Sequence, residues 1–140
     1  DKVQANSPFN DGWTREYYKN KLKNKKMKYD IHDIGGEIVK ANETYLLKDN
    51  RTLKNLVVSS TLLNPLKETR GHKHKGQEEV YYFIHGHGEM ELGSDTFKVN
   101  GGDVVLIPDG SWHKVKNTSN DFLYFVCVFD GKRYDNKEGT

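Results

Sequence analysis

From residue 55 onward the chain is cut into short β-prone runs by turn-forming residues, and that cadence restricts its fold more than any other feature. "NLVVSSTLL" (55–63), "EEVYYFIHG" (78–86), "DTFKVN" (95–100), "GDVVLIP" (102–108), "WHKVKN" (112–117) and "FLYFVCVF" (122–129) are rich in β-branched and aromatic residues, and Gly, Pro, Asn or Asp fences each one. Runs this short, at nearly even spacing, bury their apolar sides as an antiparallel sandwich or barrel. Upstream, "GGEIVKA" and "TYLLK" add one or two further strands. The first thirty or so residues read as a short helical or irregular arm, and the tail "GKRYDNKEGT" reads as frayed. The expected plan is all-β. Residues 1–45 form an N-terminal arm with edge strands and are not an independent domain, 46–130 form the barrel, and 131–140 form a flexible tail.

At 140 residues the chain has the length of one domain. Its hydrophobic share of 34% is lean against 30% charged, but eight Tyr, six Phe and two Trp supply bulky core material. The single cysteine, Cys127, excludes an intramolecular disulfide and fits a reducing compartment. No apolar run approaches the roughly 20 residues of a membrane span, and the N-terminus lacks the order of a signal peptide. A cytoplasmic protein is expected, with neither membrane nor nucleic acid as a partner. The net charge of +2 conceals six lysines between Lys19 and Lys28, and without them the rest of the chain is acidic. That run contains no aromatic residue, so it reads as a solvated lysine-rich face and not as a nucleic-acid arm.

The stretch "RGHKHKGQEEVYYFIHGHGEME" (70–91) holds four of the six histidines. Alternation along an extended chain points His72 and His74 the same way and Lys73 the other. Two imidazoles so placed can share one metal ion. Glu78 and Glu79 are candidate third ligands, and His113, after "PDGSW", offers a fourth. Three histidines and a carboxylate suit Fe, Mn, Ni, Co or Zn, and spacing does not choose among them. His85 and His87 in "HGHG" read as a solvated hairpin tip, His32 as structural, Asn117 as a strand-end residue and Cys127 as a small core hydrophobe.

Two segments here resemble the paired motifs of the cupin superfamily. In the first, His72, His74, Glu79 and Gly86 fall in place, with four residues between His74 and Glu79 and six between Glu79 and Gly86. In the second, Gly102, Pro108, Gly110, His113 and Asn117 match without a gap. The one departure is that Gly71 sits directly before His72 instead of five residues upstream. The resemblance implies a cupin jelly-roll β-barrel with a metal in its mouth, ligated by His72, His74, Glu79 and His113. It selects Glu79 over Glu78, since only Glu79 lies at the motif distance from Gly86.

The segment "NPLKETRGHKHKGQEEVY" is also similar to the archaeal-type cupin phosphoglucose isomerases, through Thr69, Gly71, His72, His74, Glu79, Tyr81 and His113. That similarity implies a sugar or sugar-phosphate isomerase or epimerase that uses a divalent transition metal and no organic cofactor. Thr69 would hold the substrate beside the metal with Arg70 and Lys67 adding charge, and Tyr81 and Phe83, which alternation puts on the face of Glu79, would line the cavity and contact substrate. Tyr81 or Glu78 would act as base, since Glu79 is compromised for that role while bound to metal. The family's wider chemistry keeps three alternatives open: an Fe(II) dioxygenase, a metal-dependent lyase on a small acid, and a non-catalytic small-ligand-binding protein. A homodimer built through an exposed sheet edge is expected.

Overall fold

The computed structural model describes residues 26–131. The chain divides into two compact units, 1–30 and 31–140, and the architecture below belongs to the second. Most of the expected N-terminal arm, with its lysine run, lies outside the described residues, as does the expected tail beyond Gly131.

Nine strands appear among the described residues, with no helix among them. They are β1 (Glu37–Ala41), β2 (Tyr45–Asn50), β3 (Leu56–Leu63), β4 (Glu79–His85), β5 (His87–Leu92), β6 (Asp95–Asn100), β7 (Val104–Ile107), β8 (His113–Lys116) and β9 (Leu123–Asp130). All pairings are antiparallel. One sheet has the order β1-β2-β3-β9-β4-β7 and the other β6-β5-β8. The core lies between them: Val57, Leu63, Tyr81, Phe83, Leu123, Phe125 and Phe129 from the large sheet meet Met90, Val99 and Val115 from the small one. The architecture is all-β, a two-sheet jelly-roll barrel of the kind that the strand cadence and the motifs anticipate.

Two expectations need correction. "HGHG" is not a hairpin tip, because β4 and β5 belong to different sheets and do not pair. The chain steps between the sheets at Gly86, whose φ of 94° is open to glycine alone at low cost. Gly88 does not need a positive φ. It is glycine because a Cβ there would land on the carbonyl oxygen of Lys116 in β8. The strand β5 that follows, "HGEMEL", has little intrinsic β-propensity and is held by pairing on both sides, with Met90 completely buried. The second correction concerns residues 71–78, which form no regular strand. His72 makes a single β-bridge to His113, with reciprocal backbone bonds of 3.1 and 2.9 Å.

The inner face of the large sheet is laid out in cross-strand rows. Val57, Phe129 and Glu79 form one row; Asp49, Ser59, Cys127 and Tyr81 the next; Leu47, Thr61, Phe125 and Phe83 the third. This register decides which side chains can share a site.

Candidate metal centre

His72 and His74 arrive on the irregular segment before β4, Glu79 opens β4 and His113 opens β8. The His72–His113 bridge ties the loop to the small sheet, and Gly110 N donates to His74 O at 3.0 Å, tying it to the turn before β8. One potential ligand atom from each of the four side chains lies within 4.8 Å of all the others, so the group could hold a metal ion.

For one of the four donors the lone pair can be assigned. His113 is 2% exposed, and its Nδ1 lies 3.0 Å from the Ser111 carbonyl oxygen. A carbonyl only accepts, so Nδ1 carries the proton and Nε2 presents a lone pair. That Nε2 is buried with no hydrogen-bond partner. Its nearest carboxylate oxygen, Glu79 Oε2, is 3.4 Å away, and the same oxygen is 3.6 Å from His74 Nε2, both long for hydrogen bonds. The ring centroids of His72 and His74, and of His72 and His113, are 4.4 Å apart. Burial, then the neighbouring His113 and His74, lower the pKa of His72 to about 4. Burial also lowers that of His74. Both rings are therefore held neutral, the form in which imidazole binds a metal.

His72, His74 and Glu79 line a cavity of about 510 Å³. Of the other expected site residues, Thr69, Arg70 and Tyr81 also line it. Thr69 Oγ1 already accepts from Val115 N at 3.0 Å. Arg70 is exposed and close enough to His72 for its charge to act on that ring. Tyr81 is buried, and its phenol is pushed well up in pKa, mainly by burial and then by the neighbouring Cys127 and Glu79. Burial and then Glu79 push the Cys127 thiol up as well, which keeps it protonated.

Two expected residues fall outside the cavity. Phe83 shares the inward face, as alternation requires, but lies one row further from the ligands than Tyr81, where Phe125 closes over it with ring centroids 5.1 Å apart. At 1% exposure it fills the core and does not line the cavity. Glu78 is exposed on the opposite side from Glu79 and does not line the cavity either. In exchange, the wall includes Lys40, Asp49, Arg51, Ser59, Thr61 and Gln77, none of them singled out from the sequence. Arg51 and Asp49 are paired at 3.1 Å. Asn117 organises the end of β8 and is not a ligand: its amide nitrogen donates to the carbonyls of Leu63, Asn64 and Asp121.

The family model described as "Cupin domain" matches residues 61–129. An uncharacterised protein of Methanocaldococcus jannaschii is 32% identical over 94 residues, which is 59% of this chain and 75% of that protein. The chain belongs to the cupin superfamily. An oxalate-binding protein of Thermotoga maritima is 35% identical over 57 residues, 41% of this cupin and 47% of that relative. In fold, this cupin is similar to a Klebsiella pneumoniae protein with a double-stranded β-helix domain. The TM-score is 0.66 at 18% identity, covering 76% of this chain and 90% of that one. Among the described residues no helix is long and apolar enough to cross a membrane.

Proposed function

We propose that this cupin is metal-dependent and takes a small carboxylic acid in its cavity, with His72, His74, Glu79 and His113 as ligands of a divalent transition ion. The observation that carries this reading is the buried Nε2 of His113, which has no hydrogen-bond partner and faces three further donors. A polar atom so buried is costly unless something coordinates it. An ion bound there supplies Lewis acidity to an oxygen of the acid. The chain's own residues do the rest. The Ser111 carbonyl fixes the His113 tautomer, and with Arg51 paired to Asp49, Lys40 and Arg70 supply the positive charge that favours an anion in the cavity. The oxalate-binding relative agrees with an acid as ligand.

The isomerase expected from the sequence asks for a base that shuttles a proton between neighbouring carbons. Glu79 is occupied as a ligand in this reading, Glu78 lies outside the cavity, and the Tyr81 phenol is held protonated by burial. These three positions therefore favour acid binding over proton shuttling.

The test is metal content by mass spectrometry, on protein purified without chelator or affinity nickel, beside a His72→Ala, His113→Ala variant. The expected result is about one equivalent of Fe, Mn, Co, Ni or Zn in the parent and none in the variant. Carboxylic acids should raise the melting temperature of the loaded protein only. A parent protein that holds no ion and takes none up on titration would falsify the reading.

A further inference from the structure

The wall facing the ligands across the sheet carries two hydroxyls that the fold does not use. Ser59 and Thr61 point inward from β3, are 5% and 6% exposed, and line the cavity. Among the described residues neither hydroxyl has a hydrogen-bond partner. Aliphatic side chains without a hydroxyl would fill such inward positions of a barrel at lower cost, and the neighbours along β3, Val57 and Leu63, do so. Among the described residues only His113 Nε2 is a fully buried side-chain atom without a partner, so both hydroxyls open onto the cavity and pair with whatever fills it.

Their position sets a length. Ser59 and Thr61 lie on β3 and Glu79 and Tyr81 on β4, with β9 between them. Two strand spacings separate the hydroxyls from Glu79, the candidate ligand on β4, roughly 9–10 Å between strand axes. A two-carbon diacid spans roughly 4 Å and cannot meet both ends, whereas a carbon chain of about five or six atoms can. The cavity of about 510 Å³ has room for it. Chemistry sets the other half of the specification. An aliphatic or aromatic tail would leave both hydroxyls stranded, while a tail bearing hydroxyl groups pairs with them. The phenylalanine rings of Phe125 and Phe129 flank the same wall and offer apolar faces to the C–H side of such a chain.

Building on the acid-binding reading above, we infer that the ligand is a hydroxylated carboxylic acid of about five or six carbons. Its carboxylate lies at the metal end beside Arg70, and its hydroxyl groups are read by Ser59 and Thr61 as specificity-determining residues. The probes are D-gluconate, hexanoate and oxalate, titrated calorimetrically into metal-loaded parent protein, Ser59→Ala and Thr61→Val. Metal content is measured on each sample, and the titrations are repeated after chelation. Gluconate should bind at least about tenfold more tightly than hexanoate, and also more tightly than oxalate. Each variant should lose about two- to tenfold in gluconate affinity, the worth of one hydrogen bond, with hexanoate affinity and metal content unchanged. Either variant suffices if the other is poorly folded. Equal binding of gluconate and hexanoate, or full gluconate affinity in both variants, overturns the inference. A protein that holds no ion yet still ranks gluconate above hexanoate sinks the metal reading and leaves this one standing. A loaded protein that ranks them equally does the reverse.

Discussion

Replacing Asn117 by alanine should cost this protein about 3–4 kcal/mol of stability. Asn117 is 1% exposed, and its amide is used from both ends. The nitrogen donates to Leu63 O and Asn64 O at 3.1 Å and to Asp121 O at 2.8 Å, so two protons are shared by three carbonyls. The oxygen accepts from Ser119 N at 3.0 Å and Ser119 Oγ at 2.9 Å. These bonds join the end of β3 to the turn between β8 and β9. Four hydrogen bonds at about 1 kcal/mol each set the upper figure, and water entering from the exposed Ser119–Asp121 side recovers part of it. For a domain of this size the melting temperature should fall by about 10–15 °C. The assay is urea unfolding of the metal-free protein, where the midpoint should move without a change in slope. Asn117→Asp has the same shape but turns the donor into an acceptor facing three carbonyls, so it should be at least as damaging as alanine. An aspartate variant as stable as the parent, or an alanine variant costing under about 1 kcal/mol, would refute the argument that bonds and not volume make this residue matter.

Two further outcomes are expected. Since His72 titrates near pH 4 in the folded chain and near 6.5 when unfolded, with His74 shifted the same way, the unfolded state takes up more protons between those values. The metal-free protein should therefore keep this stability above about pH 6.5 and lose it as pH falls toward 4. A His72→Gln, His74→Gln variant should show a shallower dependence in thermal melts, and an identical slope would contradict the assignment. Gly86→Ala should destabilise by more than about 2 kcal/mol, because it combines a strained φ with a Cβ placed on the Phe122 carbonyl oxygen. Gly93→Ala, where φ is 62° but the space is open, should cost only the backbone term. Equal losses at the two sites in denaturant titrations would mean that the close approach at Gly86 carries no weight.

What could be read from the sequence divides along a physical line. Strands whose own residues favour extension, such as "DTFKVN", were legible to the residue, and β6 runs from Asp95 to Asn100. "HGEMEL" was not, because β5 draws its strand state from partners on both sides. Its alternation of inward Gly88, Met90 and Leu92 with outward glutamates was the one signal available. The grouping of His72, His74, Glu79 and His113 was legible because it rests on residue type and motif spacing, and the structure brings the four together where they could hold an ion. Phe83 misled because alternation gives a side chain's face but not its depth along the barrel.

The wall opposite the ligands was illegible for a stronger reason. Nothing in "VVSSTLL" distinguishes Ser59 and Thr61, which face the cavity, from Ser60, which is as buried at 5% but lies on the other face of β3. The distinction is made by register. Ser59 sits opposite Cys127 and Thr61 opposite Phe125, and these in turn lie opposite Tyr81 and Phe83 on the strand that begins with Glu79. A one-residue slip of β3 against β9 would turn Ser60 inward and exchange both hydroxyls for one. The candidate metal ligands are thus legible as two short motifs, which the His72–His113 bridge joins. The ligand choice inferred above depends on the alignment of β3, β9 and β4, which only the assembled sheet displays. On the functions proposed above, substitutions that alter what the cavity accepts should cluster at Ser59 and Thr61 on β3, and those that abolish metal binding at His72, His74, Glu79 and His113.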